Sequence, residues 1–189
     1  MEPQNLELFA AVLIGIGLSA ACGFRVFVPL LGASIAAHAG LLHLAPEFSW
    51  LAGLPALLAL ALATLLEIGA YSIPFIDNLV DTVTTPVAVI AGTMLMASLL
   101  GDMSPFFQWS LAVIAGGGTA GMVQGGTLLA RGGISAVSGG LGNLAMALLE
   151  FAGAVLITLL ALFAPFVAAL GLLFGFYFLL RHLSRRHQA

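Results

Sequence analysis

Long apolar runs, separated by short polar or glycine- and proline-rich stretches, make up almost the whole chain. A helix needs roughly 20 apolar residues to cross the hydrocarbon core of a bilayer, so each run is a candidate transmembrane helix or part of one. The runs cover residues 6–22, 25–40, 52–73, 86–100, 107–122, 144–163 and 166–180. This pattern predicts an all-α integral membrane protein, a polytopic helical bundle forming a single membrane domain over residues 1–189.

Glycine and proline mark the interruptions between these runs. The first run breaks at residues 22–25, so we expect two helical pieces there. Pro74 ends the third run because the residue before a proline is disfavoured in a helix, and we interpret residues 74–81 as polar and irregular. After Pro165 the chain either continues as one kinked helix or turns back as a hairpin. The comparable stretch before Pro86 favours the hairpin, and broken or re-entrant helices are expected.

The two halves of the chain share an order of features. Each has an arginine that adjoins a glycine-rich break in the helix, then a glutamate inside an apolar run, then a proline interruption. Duplicated halves with broken helices in corresponding positions are common in transporters. We therefore predict an internal, inverted pseudo-repeat with half-repeats at residues 5–100 and 105–183.

Composition and charge agree with a membrane protein. Hydrophobic residues make up 61% of the chain and charged residues 7%, whereas soluble domains carry about 25% charged residues. Three of the five arginines lie in the tail 181–189, which the positive-inside rule places in the cytoplasm. The acidic N-terminus lacks a basic region, so the first run is expected to be a retained helix and not a cleaved signal peptide. The expected partner is the lipid bilayer, and the tail is too short to indicate nucleic-acid binding.

Four charged residues stand inside the apolar mass: Arg25, Glu67, Arg131 and Glu150. Ionisable residues are costly in membrane segments and usually face a bundle interior or a water-filled cavity. Arginine stays charged, so each arginine needs an anionic partner or water. We predict two pairs, Arg25 with one glutamate and Arg131 with the other. The alternative is that the pairs only lock the bundle together.

A second group of polar residues comprises Asp77, Asn78 and Asp81. Asp77 and Asp81 are four apart, so on a helix they share one face. Carboxylate and amide oxygens suit hard cations and also proton carriage. If a metal ion is bound, its ligands would be Asp77, Asp81 and Glu67, the last only if the helix continues past Pro74. The alternative is a solvated loop between two spans.

The glycine-rich stretch 116–143 is the third candidate. With Arg131, Ser135 and Asn143 it offers donors that suit a phosphate or carboxylate, together with backbone N–H groups. The alternative is tight helix packing, which glycine also allows. The sequence contains no P-loop, dinucleotide fingerprint, zinc motif or nucleophile–base arrangement, and the single cysteine, Cys22, is interpreted as a packing residue. We therefore expect no cofactor and no enzymatic activity.

These residues together resemble a bacterial inner-membrane family catalogued as a domain of unknown function (number 4126), over nearly the whole chain. The motifs are Gly23-Phe24-Arg25-Val26-Phe27-Val28-Pro29-Leu30, Glu67, Ile73-Pro74-Phe75-Ile76-Asp77, Asp81, Pro86, Arg131, Ser135, Gly139-Gly140-Leu141-Gly142-Asn143, Glu150 and Pro165. Tyr71 and Ser72 stand where the family pattern has an aspartate and a basic residue, and Phe151 follows Glu150 where an acidic pair is expected. The resemblance implies a multi-pass protein of the bacterial inner (cytoplasmic) membrane and no established activity.

The expected function is a small transporter or channel with a buried Arg/Glu/Asp site. The site would take an ion or small anionic solute, with proton or cation coupling, and a homo-oligomer is expected. One alternative is a protein that binds or translocates lipid phosphates, which a lateral opening beside Arg25 or Arg131 would favour. The other is a structural membrane-assembly protein without translocation, with both arginines fully paired.

Overall fold

A computed structural model describes residues 3–70, 77–138 and 142–186 of the chain. These residues form α-helices joined by short connections, with no strand among them. The helices are α1 (Pro3–Cys22), α2 (Phe27–His38), α3 (Leu54–Ala70), α4 (Asp77–Ser98), α5 (Pro105–Leu111), α6 (Gly118–Ser138), α7 (Asn143–Phe163) and α8 (Pro165–Arg186). A 3₁₀ helix (Pro46–Ala52) precedes α3, and a π-helical turn (Ala112–Gly117) joins α5 to α6.

The lengths and composition of these helices suit a membrane. Three helical segments of the described chain are long and apolar enough to cross one, and a fourth is added if the 3₁₀ helix and α3, bent by 64°, count as one span. The three are Asn5–Cys22, Pro105–Ile134 and Ala145–Phe163. The protein is therefore an all-α integral membrane protein, as the sequence predicts. The half-repeats at 5–100 and 105–183 stay a prediction.

Helix α1 lies at the centre of the bundle and contacts α2, α4, α6, α7 and α8. Its last turns consist of small, fully buried residues from Ser19 to Cys22. The Ser19 hydroxyl donates a hydrogen bond of 2.8 Å to the carbonyl oxygen of Gly92 in α4. Small residues allow membrane helices to approach closely, so α1 can be surrounded on several sides.

A close contact joins α4 to the π-helical turn and to α6. A Cβ built on Gly116 would lie 2.6 Å from the carbonyl oxygen of Gly92, and one built on Gly92 would lie 2.7 Å from the Cβ of Ala120. Real Cβ atoms essentially never come so close to other atoms. Tight packing of α4 against this part of the chain therefore depends on glycine.

The break between α1 and α2 lies inside the bundle. Cys22 belongs to the same buried core cluster as Ala88 of α4, and a Cβ on Gly23 would lie 2.6 Å from the carbonyl oxygen of Ala120 in α6. Because α4 begins at Asp77 and α6 continues to Ser138, both extend roughly 15–25 Å beyond the break at 1.5 Å per residue. The break predicted at residues 22–25 is confirmed, and it has the interior position of a re-entrant hairpin.

The opposite end of the α1–α2 hairpin is closed by the 3₁₀ helix. The Ser34 hydroxyl donates to the carbonyl oxygen of Leu51 at 2.6 Å. The Gln108 amide donates to Glu47 and to the carbonyl oxygen of Ala97, each at 3.0 Å. Trp50 is exposed beside this end, which suits the headgroup zone where tryptophan is favoured.

Helix α8 turns back along α7. Ala164 separates them with a φ of −145° and a ψ of 62°, which is not helical. Met146 in α7 and Gly175 in α8 line the same cavity, whereas in one continuous helix they would lie roughly 40 Å apart. The two helices therefore form the hairpin that Pro165 predicts.

Two expectations about irregular segments are wrong. Of the segment 74–81, residues 77–81 are not irregular, because α4 starts at Asp77 and includes Pro86 within the helix. The predicted helix end at Pro74 and residues 74–76 lie outside the described residues. Arg131 does not adjoin an unwound stretch, because α6 is helical through Ser138. Proline and glycine are tolerated inside membrane helices because neighbouring groups satisfy the freed backbone, so Pro86 does not interrupt α4 and Gly132 and Gly133 do not interrupt α6.

The glycine contact between α4 and the π-helical turn gives a prediction for stability. Gly116→Ala should lower the free energy of unfolding by roughly 1–3 kcal/mol, because its Cβ meets the Gly92 backbone and the two helices must separate. Gly118→Ala is the matched control, since a Cβ at this position would have no described atom within 4 Å and alanine is up to about 1 kcal/mol better than glycine in a helix. Thermal unfolding in detergent measures both. Equal changes in Tm would contradict the contact.

Candidate functional site

The first part of the site is the break between α1 and α2, where backbone N–H groups lack hydrogen-bond partners within a helix. The N–H groups of Gly23 and Phe24 donate to carbonyl oxygens at the end of α1, at 3.0 and 3.1 Å. The first N–H groups of a helix have no partner within that helix. For α2 these include the N–H groups of Val26 and Phe27, which therefore need an acceptor from elsewhere.

Glu67 of α3 supplies that acceptor. One carboxylate oxygen accepts a hydrogen bond of 2.9 Å from the Val26 N–H, and the other accepts one of 3.2 Å from the Phe27 N–H. A negative charge at a helix N-terminus is also favoured by the helix dipole. Glu67 is buried. Its carboxylate therefore provides the hydrogen-bond acceptors that the first N–H groups of α2 need, and it holds α3 against the start of α2.

Arg25 and Arg131 converge on Glu150. The Nη2 atom of Arg25 lies 3.3 Å from Oε2 of Glu150 and also donates to the carbonyl oxygen of Ala147 at 3.1 Å. The Nη2 atom of Arg131 donates to the same oxygen, Oε2 of Glu150. The relative exposures of Arg25, Arg131 and Glu150 are 3%, 7% and 2%. We call these three residues the arginine–glutamate triad.

The triad brings together three separate parts of the chain. Arg25 comes from the α1–α2 break, Arg131 from α6 and Glu150 from α7. Guanidinium groups match carboxylate and phosphate oxygens in geometry and charge. Together with Glu67 there are two buried cations and two buried carboxylates, so these four charges sum to zero.

This arrangement differs from the predicted one-to-one pairing. Both arginines bind Glu150, and the oxygens of Glu67 accept backbone N–H groups. The difference has a physical reason, because the first amides of α2 compete for the carboxylate nearest to them. A pairing based on side chains alone omits these backbone groups, which also need a partner.

Five predicted site residues lie outside the described side chains: Asp77, Asn78, Asp81, Ser135 and Asn143. Their backbones belong to α4, α6 and α7. Among the described residues, no group of three or more His, Cys, Asp or Glu side chains could hold a metal ion. The metal site expected at Asp77, Asp81 and Glu67 thus stays a prediction, with one of its three residues already bound to backbone amides.

An apolar cavity of about 540 Å³ lies between α6, α7 and α8. It is lined by α6, α7, α8 and the side chain of Phe24, and Thr127 is the single polar side chain among the described lining residues. Its lining includes immediate sequence neighbours of both arginines, Phe24 and Ala130, and Met146 lies one helical turn before Glu150. The cavity is therefore lined by sequence neighbours of the triad residues, while Arg25, Arg131 and Glu150 are not among its described lining residues.

Sequence reasoning missed two features of this region. Nothing in the residue type of Ala147 marks its carbonyl oxygen as a partner for Arg25. Gly171 and Gly175 line the cavity from α8, and their spacing of four residues places them on one helix face. This spacing, which lies outside the glycine-rich stretch 116–143, could have indicated a face of α8 without side chains.

The capping role of Glu67 predicts a large effect on stability. Glu67→Ala should lower the free energy of unfolding by roughly 2–5 kcal/mol, because two amides inside the bundle lose a charged acceptor. Glu67→Gln keeps one acceptor oxygen and should fall in between. Glu47→Ala is the control, since Glu47 is exposed and accepts one side-chain hydrogen bond. Thermal unfolding in detergent would contradict the role if Glu67→Ala and Glu47→Ala lower Tm equally.

Comparison with known proteins adds a family. No curated protein and no solved structure matches the chain. The model of one family, described as a domain of unknown function (DUF4126), matches residues 12–185. The match covers nearly all of the chain, including the α1–α2 break, Glu67 and the whole triad, so the protein belongs to the DUF4126 family.

Proposed function

We propose that the protein is a small membrane transporter or channel in which Arg25 and Arg131 bind the anionic group of a solute in place of Glu150. The observation that supports this is the convergence of both guanidinium groups on a single carboxylate oxygen. An incoming carboxylate or phosphate offers the same donors an equivalent acceptor. Glu150 is then the internal anion that occupies the site when no solute is bound.

Exchange between Glu150 and a solute anion meets the electrostatic demands of a membrane interior. Arginine remains charged at any working pH, and an uncompensated charge in a membrane segment is costly. With Glu150 in place, neither guanidinium has to face hydrocarbon without a counter-charge. The same competition keeps solute binding weak enough for release, which conduction and transport require.

The α1–α2 break supplies the moving part in this proposal. Transporters commonly place their sites at discontinuous helices. For α2 to shift relative to α3, the two hydrogen bonds from its N-terminus to Glu67 must break. A proton on Glu67 removes the negative charge that strengthens them, so we assign proton coupling to Glu67. Asp77, Asn78 and Asp81 are proposed for a coupling cation, and Ser135 and Asn143 for the anion.

A purely structural role is the competing candidate. Replacing a buried ion pair by well-packed apolar residues is often neutral or stabilising. Stability alone is therefore a weak reason for burying Arg25, Arg131 and Glu150 together. A lipid-phosphate protein is the second candidate, and the apolar cavity beside the triad favours it.

Membrane location and assembly complete the proposal. We assign the protein to the bacterial inner (cytoplasmic) membrane, with the arginine-rich C-terminus in the cytoplasm. The protein is proposed to act without enzymatic chemistry and as a homo-oligomer.

Anion exchange at the triad predicts opposite effects of two substitutions. Purified protein is screened by thermal shift against inorganic phosphate, acetate and dioctanoyl phosphatidic acid. For the anion that raises the Tm of the wild type, Glu150→Gln should strengthen binding by about tenfold, because the carboxylate that competes for the two arginines loses its charge. Arg131→Gln should abolish it, whereas Arg185→Gln in the tail should leave it unchanged. If no anion shifts Tm, or if both triad variants respond like the wild type, the proposal fails.

The cytoplasmic C-terminus is tested by fusions. Green fluorescent protein joined after residue 189 should fluoresce in bacterial cells, and alkaline phosphatase joined there should be inactive, because only cytoplasmic ends give that pair of results. Replacing Arg181, Arg185 and Arg186 together by glutamine should weaken this preference. Active alkaline phosphatase on the unmodified chain would reverse the assigned orientation.

A further inference from the structure

We propose that the anion bound by Arg25 and Arg131 is the phosphate of a membrane lipid, and that one acyl chain of this lipid lies in the apolar cavity between α6, α7 and α8. This inference rests on the proposed function and names its substrate class. Four properties of the cavity support it: its lining, its size, its glycines and its opening.

The residues that line the cavity offer water almost no hydrogen-bond partners. A buried water typically needs two to four polar partners. Among the described lining residues Thr127 alone has a polar side chain, and its hydroxyl already donates to the carbonyl oxygen of Gln124 at 2.8 Å. Apolar walls therefore suit a hydrocarbon chain, whereas an ion pathway would need polar groups along its walls.

The size of the cavity suits a chain and not a single small molecule. Its volume of about 540 Å³ is several times the roughly 150 Å³ of an engineered apolar cavity that takes up benzene. A cavity of this volume with an open side has room for an acyl chain.

Glycine keeps the cavity open. A Cβ built on Gly126, Gly171 or Gly175 would meet no described atom within 4 Å, and all three line the cavity. They differ in this from Gly116 and Gly92, where glycine permits contact between two backbones. In α6 and α8 the missing side chains leave space, and close helix packing does not explain them.

The cavity opens towards the lipid side of the bundle. Met122 of α6 and Val167 of α8 line it and are both 56% exposed, and Gly171 and Gly175 are exposed as well. A chain can therefore enter sideways from the bilayer. The sequence neighbours of the two arginines, Phe24 and Ala130, also belong to the lining, so we place the anionic headgroup at this end of the cavity, from which the triad is the nearest charged group along the chain.

Filling the cavity tests the inference. Gly126→Leu places a side chain in the cavity. Gly125→Leu is the matched control, because Gly125 is the preceding residue of the same helix, has equally open surroundings and does not line the cavity. Full-length protein in detergent is titrated with dioctanoyl phosphatidic acid, with inorganic phosphate and with dioctanoylglycerol, and binding is measured by thermal shift. Arg131→Gln is titrated in parallel.

We expect dioctanoyl phosphatidic acid to bind more tightly than phosphate or dioctanoylglycerol. Gly126→Leu should weaken its binding by about tenfold or more, and Gly125→Leu should not. If Arg131→Gln abolishes binding while Gly126→Leu has no effect, or if phosphate alone binds as tightly, the anion site stands and the acyl-chain inference fails. If neither Arg131→Gln nor Gly126→Leu alters binding, both proposals fail. If Gly126→Leu does not fold, Gly171→Leu on α8 replaces it with the same expectation.

Discussion

A broken helix inside an apolar bundle needs hydrogen-bond partners for its free backbone groups from elsewhere in the protein. Because the α1–α2 break lies inside the bundle, the surrounding helices must supply these partners. Hydrocarbon offers no hydrogen bonds, so irregular backbone survives at that depth only where protein or water satisfies it. Glu67 accepts both of the N–H groups that begin α2. The burial of one glutamate therefore follows from the break itself and needs no ligand to explain it.

The rest of the charge arrangement follows from that assignment. Both oxygens of Glu67 are bound to the backbone. Arg25 binds instead to Glu150 and to the carbonyl oxygen of Ala147 on α7. Arg131 reaches the same carboxylate from α6. The triad thus ties the break to two further helices through one oxygen atom. In the proposed function, the carboxylate oxygen that both guanidinium groups share is the acceptor that a competing anion would replace.

Much of the architecture could be predicted from residue types alone. Hydropathy gives the helical membrane class, Gly23 marks the first break and Pro165 marks the last hairpin. The continuous helix through Pro86 and the helical setting of Arg131 could not be predicted this way, because packing overrides the local preferences of proline and glycine. The shared use of Glu150 was also out of reach, since it depends on backbone groups that a residue pattern does not show.

The glycines of this chain have different structural roles that depend on their position. Within one continuous helical stretch, Gly116 lets α4 touch the backbone and Gly126 borders empty space ten residues later. The sequence presents both as the same glycine-rich pattern, for which tight packing and a ligand cradle were alternative explanations. The structure divides them, because a Cβ on Gly116, Gly117 or Gly121 would meet α4, whereas one on Gly126 would meet no described atom within 4 Å and Gly126 lines the cavity. Since sequence neighbours of both arginines line that cavity, the proposed ligand is an amphipathic anion and not a bare ion, because only an amphipathic anion would use both the charge and the apolar walls.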